Sequence, residues 1–100
     1  MTITAIMVVT VFEVTGDEID GAIALNDACE AFVSSQAGFI YSKFTRSQSG
    51  TDKYNVVSVS EWESKALFDA AFSRPELAEL VAGHPTFTYH RGFYDIVRSV

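Results

Sequence analysis

The chain has little of what many chemistries and architectures require. A single cysteine, Cys29, leaves no partner for an intrachain disulfide and fits a reducing compartment, so a cytoplasmic setting is expected. No apolar run reaches the ~18 residues needed to cross a bilayer, which excludes a transmembrane helix. The first basic residue is Lys43, and a secretory signal needs a positive start. Residues 1–42 hold six acids (Glu13, Asp17, Glu18, Asp20, Asp27 and Glu30) and no Lys or Arg, while the rest balances seven acids against seven bases, giving a net charge of -6. Binding to nucleic acid needs Lys and Arg gathered on one surface to replace condensed counterions, and no such cluster exists. Nucleic acid and anionic membranes are therefore set aside as partners.

The chemical motifs are sparse too. There is no phosphate-cradling Gly-rich loop, no GxSxG elbow, no HExxH and no CxxC. His84 and His90, with Cys29 far away, do not give metal-ligand spacing, so no bound metal is expected. Cys29 itself reads as a small filler on an apolar stripe.

What is present is one domain's worth of regular structure. The chain has 100 residues, 48% apolar and 20% charged, which suits one domain over residues 1–100 with a single core. Thr4 to Val14 is β-branched and apolar on both alternating sides, the pattern of an interior strand. Thr15 and Glu18 then make a capping box, with Val14 and Ile19 as its hydrophobic staple. The helix they open is expected to run from about Gly16 to Ala37 and to end at Gly38 in a left-handed cap. Phe39 to Ser47 and Lys53 to Trp62 read as a hairpin around Ser49, Gly50 and Asp52. Ser64 caps a short helix through Phe72. Ser73-Arg74-Pro75-Glu76 reads as a second capping box, opening a helix that ends at Gly83. Thr86 to Val97 is the last strand. The order β-α-β-β-α-β, with the second helical stretch in two pieces, predicts the ferredoxin-like α+β class: a four-stranded antiparallel sheet with helices on one face.

That fold leaves one sheet face uncovered, and the sequence does not make either face polar. The first strand is apolar on both sides, and Tyr41 with Phe44, Tyr54 with Trp62, and Phe93 with Tyr94 put aromatics on both sides of the others. Left wet, this surface would expose on the order of several hundred Å² of contiguous apolar area. A second copy covering it gives a symmetric homodimer.

One set of segments is more distinctive. Gln36-Ala37-Gly38-Phe39 precedes Ser58-Val59-Ser60-Glu61-Trp62-Glu63-Ser64. Ala66-Leu67-Phe68-Asp69-Ala70-Ala71-Phe72 and Pro75-Glu76-Leu77 follow, and then His90-Arg91-Gly92-Phe93-Tyr94-Asp95-Ile96-Val97. In this order and spacing they resemble the antibiotic biosynthesis monooxygenase family, a branch of the dimeric α+β barrels, over nearly the whole chain. The resemblance implies a homodimer with a ligand cleft between sheet and helices in each subunit. It also implies oxidation of phenols or anthrones to quinones by molecular oxygen without flavin, metal or haem.

Residue by residue, Trp62 matches the family's pocket tryptophan. An Asn four places earlier corresponds to Ser58 here, and a Tyr six places later to Phe68. The Trp and axial His of haem-degrading relatives fall on Ala71 and Val81, which disfavours haem. The expected catalytic residues are Trp62 and Ser58, which share a strand face, and His90, because imidazole moves protons near neutral pH. Phe68, Phe72 and Tyr94 are expected to bind substrate. His84, between Gly83 and Pro85, reads as a loop residue. Two other readings stay open: a cofactor-free cyclase or isomerase using the same cleft, and a dimeric module that binds a small molecule without catalysis.

Overall fold

The computed structural model describes residues 4–100. Its strands are β1 (Ile6–Glu13), β2 (Phe39–Arg46), β3 (Val56–Trp62) and β4 (Thr88–Asp95), and its helices are α1 (Ile19–Ser34), α2 (Lys65–Phe72) and α3 (Pro75–Val81). The sheet order is β2-β3-β1-β4, with every pairing antiparallel. The expected α+β ferredoxin-like arrangement is therefore present, and β1 is interior, as its two apolar sides predict. Among the described residues, no helix is long and apolar enough to cross a membrane.

Local chemistry sets most of the boundaries. A single 3-10 turn, Gly16–Glu18, precedes α1, and the backbone N–H of Thr15 donates to Glu18 Oε1 at 2.8 Å. Val14 and Ile19, the expected staple, are buried in the same cluster. α1 ends at Ser34, earlier than the apolar pattern suggests, and a turn carries the chain to Gly38 at φ 90°. That residue must be glycine for two reasons. Its φ is left-handed, and a Cβ there would sit 2.7 Å from the Leu67 side chain. Ser64 caps α2 by accepting from the N–H of Leu67 at 3.2 Å.

Two expectations need correction. The box at Ser73–Glu76 does not form: Ser73 Oγ donates to the Asp69 carbonyl at 2.6 Å, and Glu76 pairs with Arg74 at 2.8 Å. Arg74 is instead the N-cap, with Pro75 in the first turn, where its missing N–H costs nothing. β3 begins at Val56 rather than Lys53, because Asn55 is buried and used by the loop. Its side-chain amide donates to the Val14 carbonyl at 2.8 Å and accepts from the Asp52 N–H at 2.9 Å.

The core lies between helices and sheet in two separate clusters. One joins Val8, Trp62, Phe68 and Ala71; the other joins Val14, Ile19, Ala22 and Val56. Trp62 is fully buried, with its ring edge-on to Phe39 and Phe68, both at 5.4 Å between centroids.

Replacing Gly38 by Ala should lower stability by on the order of 2 kcal/mol, from left-handed strain plus the collision with Leu67. Denaturant unfolding measures this, and an unchanged midpoint would refute the argument.

Candidate functional site

Strand alternation gives the sheet two chemically distinct faces. Ladder partners share a face, so Thr10, Ser58 and Arg91 lie in one row across β3, β1 and β4, and Ser42 pairs with Ser60 beside them. These side chains face the helices. They sit between the two apolar clusters, where longer aliphatic chains would have joined them into one core. Instead, small hydroxyl-bearing residues leave a cavity of about 540 Å³ between sheet and helices. That lies within the range of roughly 300–1,000 Å³ common for small-molecule sites.

The floor of this cavity is polar and its walls are not. Ser42, Ser58 and Thr10 supply hydroxyls from three strands, and Phe12, Phe44, Phe72 and Trp62 supply ring surface. α1 contributes Leu25, Cys29 and Val33 to the opposite side, while α3, which packs chiefly on α1, contributes Leu77 and Val81. Burial pushes the Cys29 thiol above its ordinary pKa. His84, half-buried in the segment after α3, also borders the cavity.

Arg91 is the charged group on the floor. Its Nε donates to Thr10 Oγ1 at 3.0 Å, and its guanidinium lies 5.0 Å from the Phe72 and Tyr89 rings and 5.2 Å from Phe68. Burial lowers its pKa from the ordinary arginine value.

The structure brings together some of the expected site residues and separates others. Ser58, Trp62 and Phe72 border the cavity. The Trp62 indole N–H donates to Ser60 Oγ at 3.1 Å, so the tryptophan offers the cavity no free donor. Phe68 lies behind the wall, buried, stacked on Phe72 at 4.1 Å between centroids. His90 and Tyr94 do not share the cavity. They pair with Val11 and Met7, whose side chains leave the opposite face of the sheet, so the six expected residues do not line one cleft. His90 Nε2 lies 3.3 Å from Glu13 Oε2, and its ring is edge-on to Tyr54 at 6.2 Å. Tyr94 folds back over Gly92, where a Cβ would fall 2.5 Å from its hydroxyl oxygen. That contact gives the Gly-x-Tyr spacing its physical reason.

Sequence reasoning missed Thr10, Ser42, Arg91 and His84 as cavity residues. The signal for the first three was a polar residue at the same inward phase on each strand. His84 had no such signal, because its position depends on how the segment after α3 returns to the sheet.

Comparison with known proteins accords with this geometry. A family model described as antibiotic biosynthesis monooxygenase matches residues 5–83. Among solved structures, a Shewanella loihica protein aligns at TM-score 0.79 and 22% identity, covering 99% of each chain. A variant of SnoaB, a cofactor-independent oxygenase from Streptomyces nogalater, aligns at TM-score 0.79 and 17% identity over 97% of each chain. The heme-degrader MhuD from Mycobacterium tuberculosis aligns at TM-score 0.73 and 21% identity, over 95% of this chain and 98% of its own. No protein of curated description matches the sequence. With 79 of its residues on the family model, the chain belongs to the antibiotic biosynthesis monooxygenase family.

Proposed function

We propose that the chain is a cytoplasmic, cofactor-independent monooxygenase that takes a flat, hydrophobic aromatic, a polyketide-like phenol or anthrone, and oxidises it with molecular oxygen. The observation that carries this reading is the cavity of about 540 Å³, ring-walled and hydroxyl-floored, in a member of this family. Ionising such a substrate raises its electron density until it can pass an electron to oxygen directly. For an anthrone the balance is CH2 + O2 → C=O + H2O, and the substrate supplies every electron, so no separate reductant is needed. The protein's tasks are to hold the ring system, accept the proton and keep bulk water out.

Phe72 and the edge of Trp62 hold the rings, Phe68 supports them from behind, and Ser58 orients a phenol or carbonyl oxygen. His84 accepts the proton, because it is the imidazole that borders the cavity. Ala71 is buried in the core and Val81 offers only methyl groups, so neither supplies the Trp or the axial His that the resemblance associates with haem breakdown. His90 and Tyr94 belong to the open face, where Met7, Val9, Val11, Val57 and Val59 form an apolar centre. A second copy of the chain covers that face.

With metal-free protein and candidate polyphenols, one oxygen should be consumed per quinone formed. Ser58→Val and His84→Ala should each lower kcat/KM by about tenfold or more. Product without oxygen uptake would indicate a cyclase or isomerase, and binding without product a binding module.

Light scattering at micromolar concentration should give about twice the 11.0 kDa chain mass, and Val9→Asp should return it to that of a single chain. A wild-type particle of one chain mass would overturn the dimer.

Cys29 reports occupancy of the cavity without turnover. Its raised thiol pKa means that N-phenylmaleimide labelling should accelerate only at a higher pH than for a free cysteine, since the thiolate is the nucleophile. An aromatic ligand in the cavity should slow it further; labelling indifferent to every ligand would count against binding there.

A further inference from the structure

Arg91 is a half-buried guanidinium held by a hydroxyl and three rings rather than by a carboxylate. Its guanidinium carbon lies over the Phe68, Phe72 and Tyr89 rings at 5.0–5.2 Å, and its N–H groups donate in the guanidinium plane. One of those donors is taken by Thr10 Oγ1 at 3.0 Å, a bond that fixes the guanidinium's direction. Arg91 borders the cavity and keeps further N–H donors beyond the one given to Thr10. Among the described residues, no carboxylate comes within ion-pair distance of Arg91. The acid bordering the cavity, Glu30, is exposed on α1, and the other cavity cation, Arg74, is neutralised by Glu76 at 2.8 Å.

A half-buried cation without a counter-ion is costly, and an anion entering the cavity removes that cost. The ladder supplies the rest of the recognition. Arg91 is paired with Thr10, and Thr10 with Ser58, so a guanidinium and two hydroxyls stand in one row. Neighbours in such a row are about 5 Å apart. One edge of a planar molecule lying along this row can therefore set an oxyanion against Arg91 and an oxygen further along the same edge against Ser58, two strands away.

We propose that Arg91 makes this cavity select aromatic oxyanions, flat ligands that carry a carboxylate or an ionised phenol or enol on the edge facing β4. The inference deepens the oxygenase reading above and rests on ligands entering that same cavity. Once His84 has taken the proton, the substrate stays ionised because its charge is held by Arg91. With a net charge of -6 the protein repels anions at long range, so the selection must be local to Arg91.

A matched pair tests it. Anthraquinone-2-carboxylate and anthraquinone-2-carboxamide have the same rings and differ in charge, and Trp62, the single tryptophan, reports binding by quenching. The wild type should bind the carboxylate at least about tenfold more tightly, the scale of a charge-assisted hydrogen bond. Arg91→Met should abolish that preference while leaving the carboxamide within about twofold, and Arg91→Lys should keep part of it. If Arg91→Met fails to fold, Thr10→Val carries the test, because it keeps the charge, loses the bond that aims it, and should weaken the preference.

A 1,8-dihydroxyanthrone titrated through its own ionisation separates the two sources of the oxyanion. Tightening on ionisation identifies the phenol or enol form, whereas tightening by the carboxylate alone identifies an acid. Equal affinities in the wild type, no binding of either compound, or a preference unchanged in Arg91→Met would overturn the proposal. Oxygen uptake is measured separately. Anion preference without uptake removes the oxygenase reading alone, and uptake without anion preference removes only the role of Arg91.

Discussion

Everything in this molecule depends on what the sheet offers to the helices at its centre. Each end of the helix-facing surface is filled with hydrocarbon, Val8 and Trp62 at one end, Val14 and Val56 at the other. Between them stand Thr10, Ser42, Ser58 and Ser60, side chains too short to meet α1 and too polar to gain by trying. Replacing buried methyl groups with hydroxyls forfeits burial energy on the scale of ~0.8 kcal/mol per buried methylene equivalent. The two end clusters carry stability, and the gap between them is the cavity. A core of continuous Val and Leu would give a tighter protein with nowhere to put a ligand.

The same strand alternation that builds the cavity divides the chemistry of β4. His90 and Arg91 are adjacent in sequence and lie on opposite faces of a sheet one residue thick. His90 meets Glu13 over the open face, and Arg91 meets Thr10 under the helices. Gly92 continues the division: its missing side chain makes room for the Tyr94 ring to lie flat on the open face. The His-x-Gly-x-Tyr run thus specifies the surface away from the cavity, while Arg91 within it belongs to the cavity floor and Phe93 packs against Phe68.

How much was legible follows from how local each feature is. The element order, the cap at Ser64 and the staple of Val14 and Ile19 depend on neighbours a few residues away, and all three are present; Gly38 is left-handed as expected, but it follows a turn instead of capping α1, which ends at Ser34. Trp62 and Ser58 were legible as a pair because a spacing of four on a strand fixes a common face whatever the rest does. The face of His90 was not, because it depends on the register of β4 against β1, which pairs residues about 80 positions apart. The Ser73 box failed for a related reason. Once α2 ends at Phe72, the Ser73 hydroxyl can reach the Asp69 carbonyl behind it, so it closes the preceding helix instead of opening the next. Asn55 looked like strand and serves the loop, because its amide bridges the Val14 carbonyl and the Asp52 N–H across two chain segments.

The position of Arg91 shows why a frame this small needs no elaborate machinery to change the behaviour of an aromatic guest. A charge acts more strongly where water is scarce and rings surround it than it would on the surface. Three rings lie about the guanidinium, Thr10 accepts from its Nε, and among the described residues no carboxylate pairs with it. Had the chain placed an Asp at Ser58, directly beside Thr10 in the ladder, the pair would neutralise itself and the floor would be inert. Holding that position to a hydroxyl keeps the cation unmatched, and an unmatched cation in a ring-walled cavity favours whichever form of the guest is negatively charged.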